Sequence, residues 1–214
     1  MSELRISVQD VAPEPYAVAP SLLARLRIAE PDGDAVHAVA LKCQVRIEPQ
    51  KRAYSGAEQA GLGDLFGERE RWSSTVRPFM WMQASTLVQG FTATTETDLP
   101  MLVTYDFDVA GAKYLHALRD GDVPLVFLFS GAVFRRGASG FAVSHIPWDT
   151  EASYRMPVHV WRDVMDLHFP GAGWLRMQRE TLGALSAFRS AHGLTSWDET
   201  IAALLTEATD GSTR

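Results

Sequence analysis

The sequence predicts an α+β fold: an antiparallel β-sandwich-like body followed by a C-terminal layer of about three helices. Three observations carry this reading. Val39, Leu41, Cys43, Val45 and Ile47 alternate with Ala40, Lys42, Gln44, Arg46 and Glu48, the period of two that gives a strand one dry and one wet side. Proline and glycine break the first two thirds of the chain into short segments, as in antiparallel sheets. Beyond Pro157 the period lengthens: Trp161, Val164, Met165 and His168 follow the i, i+3, i+4, i+7 spacing of a helix that buries one stripe. Residues 1–148 are therefore expected to form the sandwich-like domain and residues 149–214 a helical layer packed on the same core.

Taken in order, Leu4, Ile6 and Val8 alternate with polar neighbours, and Leu22, Ala24, Leu26 and Ile28 resume the alternation after Pro13, Pro15 and Pro20. Glu30-Pro31-Asp32-Gly33-Asp34 supplies turn chemistry, so the strand at 39–47 is expected to pair by hairpin with the one before it. Residues 49–74 lose the rhythm. With Gly56, Gly61, Gly63 and Gly67 they read as an excursion with at most a short helix over 57–66. Such a segment is expected to add little to the core, so that deleting 56–68 would leave stability nearly unchanged. Strand character returns over 75–91, interrupted by Pro78, and again over 101–107. Asp108 can cap a helix over 109–119, the run 123–134 is apolar on both faces like a covered central strand, and 141–146 returns beside it. Helices are expected over 157–168, over 174–191, and from Ser196, where Glu199 completes a capping box.

Composition bounds the function. The chain has 214 residues, 46% of them apolar and 21% charged, which fits a folded globular domain and excludes intrinsic disorder. A single cysteine excludes a disulfide scaffold. Residues 1–100 and 101–214 each carry 10 basic and 13 acidic side chains, so no concentrated basic surface for nucleic acid is expected. The longest apolar run is far shorter than the ~20 residues that span a bilayer. The first residues lack a basic segment followed by an apolar one, and a cytoplasmic location is expected.

Reactive motifs are missing from the sequence. It has no HExxH, CxxC, GxSxG or phosphate-cradling glycine motif. His159, Asp163 and Asp166 fall on one helical face, but it is the face opposite the buried stripe, so they are expected to be solvated rather than to hold a metal. Cys43, on the apolar side of its strand, is expected to be an inert buried thiol. No cofactor is expected. Trp148, Asp149, Glu151, Tyr154 and Arg155 cluster between the last strand and the first C-terminal helix. There the two carboxylates could serve as an acid/base pair in an aromatic pocket, or the segment could be a plain connector.

The segments Ala40–Pro49, Asp64–Glu68, Tyr105–Ala110, Lys113–Leu118, Pro124–Gly131 and Trp161–Asp166 together resemble a domain-of-unknown-function family of GC-rich Gram-positive bacteria, over nearly the whole chain. Members are often encoded near uptake nickel-iron hydrogenase genes, so the resemblance implies an accessory role. It brings no catalytic residues with it. The expected function is thus a non-catalytic accessory or protein-interaction protein, assisting assembly or scaffolding of a metalloenzyme such as a hydrogenase. A protein partner is expected, and homo-oligomerisation is compatible with the same reading. The expected partner surface is Tyr54, Leu65, Phe66, Trp72 and Trp81, since an excursion this rich in apolar side chains must cover something. The alternatives are an enzyme or ligand binder centred on Trp148–Arg155, and a chaperone-like holder of unfolded chains.

Overall fold

The computed structural model describes residues 4–106, 109–137 and 140–211. They divide into two compact units, Met1–Trp174 and Leu175–Arg214. The first unit holds two antiparallel sheets. Strands β1 (Arg5–Pro13), β2 (Ser21–Ala29) and β5 (Thr94–Leu102) form one, in the order β1-β2-β5. The other has the order β4-β3-β6-β7, from β3 (Ala35–Ile47), β4 (Phe79–Thr92), β6 (Asp122–Gly137) and β7 (Gly140–His145), and β8 (Glu151–Pro157) also pairs with β6. The inward faces share one core. Leu22, Ala24, Leu26 and Ile28 of β2 meet Leu99 and Met101 of β5, the five expected residues of β3, and Phe127, Phe129 and Val133 of β6. Each large side chain so buried contributes about 1.5–3 kcal/mol. Cys43 is among them; burial pushes its thiol up to about 12, so it stays protonated at neutral pH.

Several expectations are corrected. Strands β2 and β3 do not form a hairpin. The turn after β2 carries the chain across from one sheet to the other, because the Glu30 carboxylate, buried at the crossing, accepts from the Asp34 amide at 2.9 Å and pairs with Arg135 of β6 at 3.4 Å. The return crossing, from β4 to β5 through Ala93, is tied to it by Glu30 N donating to Ala93 O at 2.7 Å. Strand β5 begins at Thr94, seven residues before the strand expected over 101–107; the proposed cap Asp108 lies outside the described residues. The segment 148–155 is largely strand rather than connector, with Tyr154 opposite Leu125.

The excursion is structured. It contains α1 (Gly56–Gly61), α2 (Gly63–Phe66) and the start of α3 (Trp72–Thr75), and it buries Leu62 and Phe66 in the core. Deleting 56–68 would therefore remove core, contrary to the expectation from its glycines. Helices α4 (Ala110–Ala117) and α5 (Val158–His168) close the same end of the sandwich with Ala112, Tyr114, Leu115, Trp161, Val164 and Met165. The second unit comprises α6 (Arg179–Ala191), which starts five residues later than expected, and α7 (Trp197–Gly211). Ser196 and Glu199 form the capping box, and the Arg189 guanidinium lies 4.1 Å from the Trp197 ring centroid.

Strand β6 is the hub. One side pairs with β3 over Leu125–Phe134, while the other pairs with β8 over Asp122–Leu128 and with β7 over Ala132–Gly137. Gly131 sits where the second partner changes, at φ +138°, and a Cβ there would lie 2.0 Å from the Ala40 carbonyl oxygen. Both the backbone angle and the space demand glycine. Gly131→Ala is expected to cost about 3 kcal/mol or more, read by denaturant unfolding; a loss below about 1 kcal/mol would show that the strand does not depend on this contact.

Candidate functional site

The residues assigned from sequence to a partner surface pack onto their own body. Phe66 is buried, while Tyr54, Leu65, Trp72 and Trp81 are half-buried against the core. Tyr54 makes edge-to-face contacts with Trp72 and Tyr114, at centroid distances of 5.4 and 6.4 Å, and Phe66 meets the same two rings. The Tyr54 hydroxyl donates to Pro49 O at 2.6 Å, which leaves Tyr114 as the donor in their 2.9 Å hydroxyl pair; burial raises the pKa of both phenols. Trp81 occupies a bulge in β4, where Val45 pairs with Met82 and Arg46 with Met80, so its ring is turned toward α4 and α5. It rests on Gly111, where a Cβ would come within 2.7 Å, and meets Trp161 at 6.5 Å.

Beneath these aromatics lies a buried ion pair. Arg52 Nη2 donates to Glu58 Oε1 at 2.8 Å, with side chains only 7% and 5% exposed. Arg52 also donates to the carbonyls of Asp120 and Asp122, and Glu58 accepts from the amides of Ser55 and Arg119. Burial alone would raise the Glu58 pKa. The Arg119 and Ser55 amides and the Arg52 charge outweigh it and hold the carboxyl below its ordinary value of 4.5.

The second proposed cluster is dispersed. Trp148 is 91% exposed and Asp149 lies in the turn before β8. Tyr154 donates to Asp10 Oδ1 at 3.1 Å, and Arg155 pairs with Asp122 at 3.5 Å. His159, Asp163 and Asp166 are exposed, as expected. Among the described residues the only acidic or histidine group with ligand atoms within 4.8 Å of one another is Glu30, Asp32 and Asp34, and Glu30 is already held by Arg135.

Two features stand out that the sequence did not single out. The outer face of the larger sheet carries an apolar field. Leu87, Ala40 and Ala132 form one cross-strand row, with Ala38, Phe134 and Val143 in the next and Phe141 beyond. Leu87, Phe141 and Val143 are 70%, 59% and 53% exposed. The other feature is a cavity of about 340 Å³ beside α4 and α5, lined by His116, Trp161, Arg162, Met165, Asp166 and the 171–173 turn. The Trp161 ring is almost fully buried and meets His116 edge to face at 5.3 Å, while its Nε1–H has no acceptor among the described residues. An orphaned buried donor costs about 1–3 kcal/mol. Burial lowers the His116 pKa from 6.5 and keeps the ring neutral. A larger trough of about 460 Å³, with Lys42, Gln44, Gln83, Ser85 and Ser130 on its polar floor, lies where β4 and β5 part.

A model of a family of unknown function (DUF6084) matches residues 1–213. No curated protein matches the chain. Among solved structures, similarity is found to the solution structure of a "putative late embryogenesis abundant (LEA) protein", with 11% identity, 73% of each chain covered and a TM-score of 0.33. A beta-glucosidase from Kluyveromyces marxianus is similar at 7% identity and a TM-score of 0.24, over 72% of this chain and 15% of that one. Among the described residues no helix is long and apolar enough to cross a membrane.

Removing one partner of the ion pair strands the other. Glu58→Ala is expected to cost about 3–5 kcal/mol in denaturant unfolding, and a loss under about 1 kcal/mol would refute the role given to the pair. Acid acts on two groups, and the His116 effect begins at the higher pH. Because its folded pKa is lowered, His116 costs stability as pH falls below 6.5, where the unfolded chain takes up the proton first. Glu58 stabilises fully above 4.5 and loses that contribution as pH falls through its lower folded value. His116→Gln should flatten the first limb of a stability–pH curve and Glu58→Gln the second.

Proposed function

Since the chain belongs to this family of unknown function over residues 1–213, we propose from its own surface that it is a non-catalytic accessory protein that holds another protein on the outer face of its larger sheet. The single observation behind this reading is the apolar field of Leu87, Ala40, Ala132, Phe134, Val143 and Phe141, spread over four strands and exposed at three of its largest side chains. Contiguous exposed apolar surface of this kind costs solubility and is kept where a partner covers it. The aromatic excursion first favoured for this role is engaged with its own core, so the sheet face takes its place. The segment 148–155 is less suited to catalysis, since Tyr154 and Arg155 are engaged in bonds that fasten β8 to its surroundings. The client we propose is a metalloenzyme such as an uptake nickel-iron hydrogenase, for which the support is the resemblance of the sequence motifs.

The test is a Leu87→Lys, Val143→Lys double variant. Both side chains point to solvent, so the melting temperature should stay within a few degrees of wild type. In the native host, cross-linking should join the wild-type protein to hydrogenase subunits, and the double variant should lose at least nine tenths of that product. Cross-linking that survives the variant overturns the sheet face as the surface; a wild-type protein that never cross-links to those subunits overturns the client.

A further inference from the structure

We propose that the cavity beside α4 and α5 binds a small zwitterion of the α-amino-acid class. Its wall on α5 carries opposite charges one helical turn apart, Arg162 and Asp166, yet no ion pair joins them among the described residues. Arg162 is positioned instead by its Nη2, which donates to the carbonyls of Leu118 and Arg119, leaving Nη1 and Nε for another acceptor. Asp166 is exposed at the cavity rim, and its carboxylate has no hydrogen bond or ion pair among the described residues. Trp161, 1% exposed, closes the back of the cavity as an apolar wall.

The chemistry selects the ligand. A carboxylate takes the Arg162 guanidinium, as charge-assisted bonds favour. An ammonium group takes Asp166, and an apolar side chain lies against Met165 and the His116 ring. A simple anion would meet Asp166 unpaired and a simple cation would meet Arg162, whereas a zwitterion satisfies both. At about 340 Å³ the cavity is at the small end of ligand sites, which suits a single amino acid rather than a nucleotide.

The experiment is titration calorimetry on the full chain, with indole fluorescence in parallel, using free L-methionine, L-leucine and L-phenylalanine and their N-acetyl and amide derivatives. The free amino acids should bind with a Kd below about 1 mM, and capping either end should weaken binding at least tenfold. Asp166→Asn, at an exposed and partnerless side chain, should fold like wild type and weaken binding at least tenfold, and Arg162→Lys should do the same. Failure of every free amino acid to bind below about 1 mM overturns the proposal. So does binding that is indifferent to the caps or to Asp166→Asn. The titration uses no partner protein, so its outcome is independent of the sheet-face reading.

Discussion

The Arg52–Glu58 pair is the constraint on which the helical end of the sandwich depends. Two charges taken out of water need every lone pair and proton satisfied, and here each partner spends its remaining hydrogen bonds on a different stretch of chain. Arg52 reaches the carbonyls of Asp120 and Asp122 at the start of β6, and Glu58 takes the amide of Arg119 while capping its own helix. One interaction thus fastens the excursion to the turn between α4 and β6. Tyr54, Phe66 and Tyr114 meet because that fastening brings them together, and Tyr114 lies in the helix that carries His116. The cavity wall and the excursion are mechanically one object.

A second buried pair plays the same part at the opposite crossing. Glu30, with Arg135 of β6, holds the turn that moves the chain between sheets, and its own amide ties that turn to the return crossing at Ala93. Both pairs sit where the chain leaves regular pairing and backbone groups would otherwise lack partners. Apolar burial fills the middle of the first unit, and ionic hydrogen bonding fastens its crossings.

How much of this was legible follows from the period each element presents. The inward face of β3, including Cys43, was readable because large residues alternate over nine positions. The strand Thr94–Leu102 was not, since only Leu99 and Met101 of it are buried and its first half is polar and threonine-rich. The sheet crossing after β2 uses the same Pro-Asp-Gly chemistry as a hairpin, and only the buried carboxylate of Glu30 separates the two outcomes. Ala152, Tyr154 and Met156 do alternate, but with Pro147 and Asp149 in front of them they read as a connector. The outer field rests on Ala38, Ala40 and Ala132, too small to mark a face in sequence. His116 and Trp161 are 45 positions apart, and no local spacing announces a cavity they share.

The central place of β6 bears on how the chain is made. Strand β3 ends at Ile47, yet its second neighbour is complete only when Phe134 has been synthesised. At about 5–20 residues per second of translation, that edge stays open on a nascent chain for roughly 5–20 s. Until then a β3–β4 ribbon presents a bare row of amides and carbonyls beside an uncovered apolar face, the combination that pairs wrongly with other chains. The wet residues Lys42, Gln44 and Arg46 on its reverse side keep one face of the ribbon hydrated until its partner arrives.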